Sequence, residues 1–377
     1  MLNTVDELHP DERYKFGSKE KELAEFADHA RRVTEAQKVI AARNASLPNR
    51  VFHMKTHGCL SGVLRLLPDR PESVRQGIFA DSAKSAYNVL ARFSSGVGVA
   101  QHDLKPDVRG LALKIFGVDD RPDKPGTIDF LMTNSPNPFG SDQEEFVRFM
   151  EANVDPGILG ANLLQFLVRH PDVARLLVKA TLKVVPSLAT EQYWSGHAYL
   201  LGPEQAMKFN VRPVIDDITQ VDSEVQDEIG AFDATRESSG ESLSERIALW
   251  VRLREAGRSK LHPDYLSLEL RRRLSGASIK FILSAQLAKS NHLTPVEHGL
   301  IEWKESDSPS IPLAELTLDR LLEADACANL RFTPGHFIPE HRPLGNLGRG
   351  RIFTYRASQD GRGASNEEPG EQALHRP

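Results

Sequence analysis

Between residues 18 and 45 apolar side chains recur at helical spacing, Leu23, Phe26, Ala27, Ala30, Val33, Ala36, Val39 and Ile40, with charges between them. The spacing predicts an amphipathic N-terminal arm lying over the domain, ended by Leu47-Pro48. Short apolar runs follow at 51–54, 61–67, 85–93, 108–116 and 127–133, broken by Gly, Pro and Asp clusters. Each reads as a strand. With no long helix between most of them, the strands are expected to pair antiparallel in a sheet or barrel. From about 142 to 188 the pattern is helical, interrupted at His170-Pro171-Asp172. Strand character returns at 198–201, 207–211, 279–287, 300–303 and 314–318, around a charged, helical insert from about 222 to 274. The polar segment 363–377 reads as a disordered tail.

Composition narrows this little. The 377 residues are 40% hydrophobic and 26% charged, with a formal net charge of -5, as in a globular protein with no nucleic-acid footprint. Arg169, Arg175, Lys179 and Lys183 punctuate the apolar helical region. They argue against stable membrane insertion and leave an ordinary helix pair or a peripheral lipid contact. Cys59 and Cys327 are the two cysteines, far apart in sequence, so no disulfide framework is proposed. With a charged N-terminus lacking a signal-peptide core, a cytoplasmic protein with reduced thiols is expected.

Two stretches carry chemistry. Near the C-terminus stands Arg351-Ile352-Phe353-Thr354-Tyr355, with Arg362 seven residues later. On a helix the Arg and Tyr share a face, and a guanidinium or a ferric ion beside a phenol favours the phenolate. Taken alone the pair also suits an amphipathic surface helix. Near the N-terminus stands Arg50-Val51-Phe52-His53-Met54-Lys55, then His57-Gly58-Cys59. On a strand His53, Lys55, His57 and Cys59 would share a face, and two His with a Cys offer an incomplete zinc set.

Taken in order, these stretches resemble the catalase superfamily. Arg50 to Gly58 is similar to the R-V-x-H-x-K-x-x-G segment of the distal histidine, Arg92-Phe93-Ser94 to its R-F-S, and Asp107 to Lys114 to its D-x-R-G-x-A-L-K strand. Asn134-Ser135-Pro136 with Phe139 resembles its N-T-P-x-F-F. Tyr193 to His197, Lys208-Phe209 and Phe332-x-Pro334 also match, leading to Gly350-Arg351 and Tyr355. The resemblance implies an α+β fold, an antiparallel β-barrel core with surrounding helices, without the C-terminal helical region of larger catalases. It implies domains 1–47 (helical arm), 48–362 (haem-binding barrel with helical insertions) and 363–377 (tail).

The cofactor so implied is haem b, its iron held by Tyr355 with Arg351 beside it. Arg50, Arg92 and Arg362 would bind the haem propionates, and Phe139 would contribute to the haem pocket. His53 would move the peroxide proton, hydrogen-bonded by Ser94. Two departures stand out: Phe52 replaces a smaller Val, and Thr133 replaces the first Asn of N-N-T-P, leaving Thr133 or Asn134 to steady the peroxide. The expected activity is a haem-dependent hydroperoxidase of homo-oligomeric form, acting on hydrogen peroxide or organic hydroperoxides. Alternatives are a fatty-acid hydroperoxide isomerase or dehydratase of the allene oxide synthase kind, and a non-catalytic haem-binding protein.

Overall fold

Alternation of apolar side chains closes the strands on themselves. In the computed structural model, which describes residues 8–43, 46, 49–81, 84–118, 126–154, 161–214, 221–228, 230, 242, 244–248, 261–323 and 325–365, nine strands are joined. They are β1 (Thr56–Leu66), β2 (Ala86–Ser95), β3 (Arg109–Phe116), β4 (Thr127–Thr133), β5 (Tyr193–Ser195), β6 (Tyr199–Leu201), β7 (Gln205–Pro213), β8 (Ile279–Leu287) and β9 (Ile311–Leu321). The order β5-β4-β3-β2-β1-β9-β8-β7, with β5 also paired to β7, makes an eight-stranded antiparallel ring. β6 hangs on β7 outside it.

Every second residue points inward. Val89, Ala91 and Phe93 from β2 meet Leu111, Leu113 and Ile115 from β3 and Ile128, Phe130 and Met132 from β4, all buried. Phe130 stacks on Phe209 of β7 at 4.2 Å. A barrel of this size is filled by its own side chains, so a ligand site must lie outside it. The outward residues form two cross-strand rows, Arg92 beside Ala112 beside Leu131, and Ser94 beside Gly110 beside Thr133.

Helices cover that outer face. These are α1 (Lys19–Arg43), α2 (Gln143–Val154), α3 (Ala161–Arg169), α4 (Pro171–Thr181), α5 (Tyr265–Gly276) and α6 (Gly345–Gly361). No described helix is long and apolar enough to cross a membrane. α6 packs along α1, with Phe26 against Phe353 at 5.4 Å. The approach is close because Gly350 has no Cβ; one there would lie 2.5 Å from Gln143 and 2.8 Å from Phe26. Arg349 anchors the helix: its guanidinium donates to Glu22 at 2.9 and 3.0 Å and to Glu12 at 2.5 Å, and lies 3.4 Å from Glu297.

Several sequence expectations are corrected. Residues 51–54 are irregular, because His53 takes a left-handed backbone that no strand accommodates. Residues 300–303 bury Trp303 through a turn rather than a strand, and 182–188 leave the helix after α4. Cys59 and Cys327 are not free thiols: they form a disulfide, with Cα atoms 5.8 Å apart. That pairing also removes Cys59 from any zinc set. Most of 363–377 and much of the 222–274 insert lie outside the described residues.

Replacing Arg349 by Met would leave Glu12, Glu22 and Glu297 without their shared cation. A loss of roughly 3–5 kcal/mol is expected, the usual cost of removing one partner of a buried ion pair. It would be read as a lowered urea midpoint with unchanged slope.

Candidate active site

A cavity of about 240 Å³ lies between the outer face of β2–β4 and helices α1, α2, α4 and α6. His53, Ser94, Thr133, Arg50, Arg92, Phe139, Arg351, Tyr355 and Arg362 all line it, bringing together residues up to three hundred positions apart. Asn134 does not. Its Oδ1 accepts from the Arg109 N–H at 2.7 Å and its Nδ2 donates to Glu191 at 2.9 Å, so it locks the end of β4.

His53 is the one non-glycine with positive φ (58°) among the described residues. Such a backbone is strained and persists only when its surroundings fix it. Here the His53 N–H donates to Gly96 O at 2.8 Å, and Arg92 Nη2 donates to His53 O at 2.7 Å. The imidazole lies over Gly110, where a Cβ would stand 2.5 Å from Nδ1. Ser94 Oγ is 3.0 Å from Nδ1 in a hydrogen bond. With the proton on Nδ1 the ring donates to Ser94, leaving Nε2 a free lone pair. Burial first, then the charges of Arg92, Arg351 and Arg50, push the His53 pKa down to about 3, so the ring is neutral near pH 7.

Thr133 is placed beside Gly110, but its hydroxyl donates to Ser135 O at 3.2 Å. Sequence reasoning missed the aromatic wall that α2 adds. Phe52 stacks on Phe149 (6.3 Å, 18°) and lies 5.8 Å from Phe146, and Phe139 is 5.1 Å from Phe149. The spacing of Phe146 and Phe149 at i,i+3 was the available signal.

On α6 the i,i+4 relation puts Arg351 Nη2 2.8 Å from Tyr355 Oη as donor, with the guanidinium 5.0 Å from the ring centroid. Burial lowers the Arg351 pKa, but attraction to Tyr355 and Tyr199 and the bond to Tyr355 outweigh it and hold the group charged. Behind it sit buried His197 and Tyr199, in ring contact at 4.4 Å, which sequence reasoning did not assign to the site.

Arg50, Arg92 and Arg362 form the remaining edge. None pairs with a carboxylate among the described residues, and Nε of both Arg92 and Arg362 is buried without a partner. Arg50 and Arg362 donate instead to the backbone carbonyls of Ala328 and Leu330. Burial, then repulsion from Arg92 and Arg362, pushes Arg50 down to about 8; burial, then Arg362, pushes Arg92 to about 10. Such a cluster is configured to receive anionic oxygens.

Searches of family models and of curated proteins find no match. Among solved structures, a bacterial catalase is similar over 90% of this chain, with 18% identity and a TM-score of 0.62. A fungal catalase (17%, TM-score 0.61, 86% of this chain) and catalase A from Saccharomyces cerevisiae (15%, 0.60, 85%) are also similar. The fold is catalase-like. The chain spans less than two thirds of these catalases, 61 to 62% of their lengths.

On this catalase-like barrel the donor set fits haem. A phenol oxygen beside a permanent cation suits a ferric ion. The partnerless Nε atoms of Arg92 and Arg362 suit carboxylates.

Replacing Gly110 by Ala is expected to displace the His53 ring and break its bond to Ser94. A proton NMR resonance for the His53 imidazole that stays put would contradict the placement. A second expectation concerns acid. Burial lowers His53 to about 3, His341 to about 4, and His57 and His197 well below the usual 6.5. Between about 6.5 and those values the unfolded chain binds protons that the native one refuses, so stability is full above about 6.5 and declines as pH falls below it. In His341, protonation would strip the acceptor from the Ile78 N–H, 3.1 Å from Nε2. His341→Gln should flatten the fall in urea midpoint between pH 6.5 and 4.

Proposed function

We propose that this protein is a haem-dependent hydroperoxidase. The observation that carries the reading is one cavity uniting the Arg351–Tyr355 pair, Arg50, Arg92 and Arg362 with no carboxylate beside them among the described residues, and the His53–Ser94 pair. Haem b, when bound, supplies the redox chemistry of O–O cleavage. Tyr355 Oη would hold the iron, with Arg351 donating a hydrogen bond to that oxygen. Arg50, Arg92 and Arg362 would hold the propionates.

The chain's own part is proton traffic and exclusion of water. His53, kept neutral, takes the hydroperoxide proton at Nε2 and returns it to the departing oxygen, so that water or an alcohol leaves rather than its anion. Ser94 holds the ring in place through Nδ1. The Phe52, Phe139, Phe146 and Phe149 wall keeps the chamber dry and receives an apolar substituent.

The occupied hydroxyl of Thr133 leaves the peroxide's proton to His53. Small organic hydroperoxides therefore suit the chamber at least as well as hydrogen peroxide. The aromatic wall also favours a second reading, rearrangement of a fatty-acid hydroperoxide of the allene oxide synthase kind. Homo-oligomeric assembly belongs to the same proposal, whereas the Cys59–Cys327 disulfide removes the reduced-thiol argument for a cytoplasmic location.

Haem titration is expected to give a one-to-one complex, and Tyr355→Phe to lose the charge-transfer bands of a phenolate-bound ferric haem. With cumene hydroperoxide and a phenolic donor the complex should turn over, His53→Ala falling by about 10²–10⁴-fold as general acid-base catalysts do. A protein that binds no haem, or turns over no hydroperoxide, refutes the reading. Epoxide-derived products from a polyunsaturated fatty-acid hydroperoxide, without donor consumption, decide for the second.

A further inference from the structure

The Cys59–Cys327 disulfide was not foreseen, and it lies beside the arginine cluster. Cys59 on β1 lies directly across from Arg92 on β2. Cys327 sits in a short turn, with the Ala328 N–H bonded to Asp325 O at 2.8 Å. Two residue pairs then hang on that turn. Arg50 Nη2 donates to the carbonyls of Cys327 (3.4 Å), Ala328 (3.1 Å) and Leu330 (3.5 Å). Arg362 donates to Ala328 O at 3.0 Å and Leu330 O at 2.8 Å. Both sulfurs are buried in one cluster with Leu131 and Phe332, against which Tyr355 packs.

We propose that the Cys59–Cys327 disulfide is a positioning element of the cofactor's carboxylate clamp: it pins the 325–330 turn to β1, and the turn's carbonyls hold Arg50 and Arg362 alongside Arg92. The inference rests on the haem reading above. Three like charges in one cavity repel, so what keeps them convergent is the acceptor framework they donate to. For Arg50 and Arg362 that framework is a turn outside the barrel, crosslinked to the strand beside Arg92, which itself donates to His53 O and Thr56 Oγ1. Cutting the crosslink frees the turn, the cations spread, and the clamp loosens while the Tyr355 side stays. Cleavage by a dithiol such as dithiothreitol transfers one electron and one proton to each sulfur, and the reductant closes its own disulfide.

The test follows haem leaving the full-length loaded protein for excess apomyoglobin. Three forms are compared: untreated, dithiothreitol-treated, and Cys327→Ser. Loss is expected to quicken about tenfold in the two cleaved forms, the scale of one weakened charge-assisted contact. The absorption bands of bound haem should not move, since Tyr355 is held by its helix and by Arg351 rather than by the turn. Repeating the experiment with protohaem dimethyl ester, whose carboxylates are blocked, should abolish the difference between intact and cleaved forms. A purely structural crosslink would accelerate loss of both haems alike, which overturns the proposal. So do equal rates with ordinary haem, or two reactive thiols in the untreated, denatured protein. Failure of the untreated protein to take up haem at all instead refutes the haem reading itself.

Discussion

Three guanidinium groups converge on one cavity with no carboxylate beside them among the described residues, and much of the surrounding structure exists to keep them there. Each is delivered by a different device. Arg92 stands on the outer face of a barrel strand, where cross-strand register leaves it no freedom of place. Arg50 precedes the irregular segment that carries His53. Arg362 is the residue that ends α6, where the carbonyl end of the helix favours a cation. Burial pushes the pKa of all three down, with repulsion from the cluster adding to it at Arg50 and Arg92 and repulsion from Arg331 at Arg362. Guanidinium groups so placed offer donors to anionic oxygens.

The opposite demand governs His53. Its left-handed backbone, the missing Cβ of Gly110 and the Ser94 hydroxyl together hold one neutral imidazole facing a mostly apolar chamber. Thr133 spends its hydroxyl on its own turn and Asn134 points away, so neither stands to His53 as a free hydrogen-bonding neighbour. The fold is thus shared with catalases, while the character of the chamber is set by a handful of side chains standing on it.

Local patterns were legible where local forces decide. The strands at 127–133 and 279–287 have the expected bounds, because alternating apolar residues between turn formers admit little else. The i,i+4 pairing of Arg351 with Tyr355 is likewise a helix property. Residues 51–54 were misread, since an apolar run carries no mark of a positive φ imposed by Gly96 and Arg92. The disulfide was invisible because partners 268 residues apart meet only through the pairing of β1 with its neighbours. Asn134 and Thr133 look interchangeable in the chain; which one faces the cavity follows from strand alternation and from Glu191, a buried partner far away.

The ring of strands closes through β1 and β9, paired although some two hundred and fifty residues separate them. In an emerging chain β1 can already pair with β2, but its other edge stays open until β9 has been made. During synthesis this is a long-lived, unpaired apolar edge, the kind that recruits other chains. Arg351, Tyr355 and Arg362 follow later still. A nascent chain therefore has His53 long before it has Tyr355, and the cavity they share cannot form until α6 has been made.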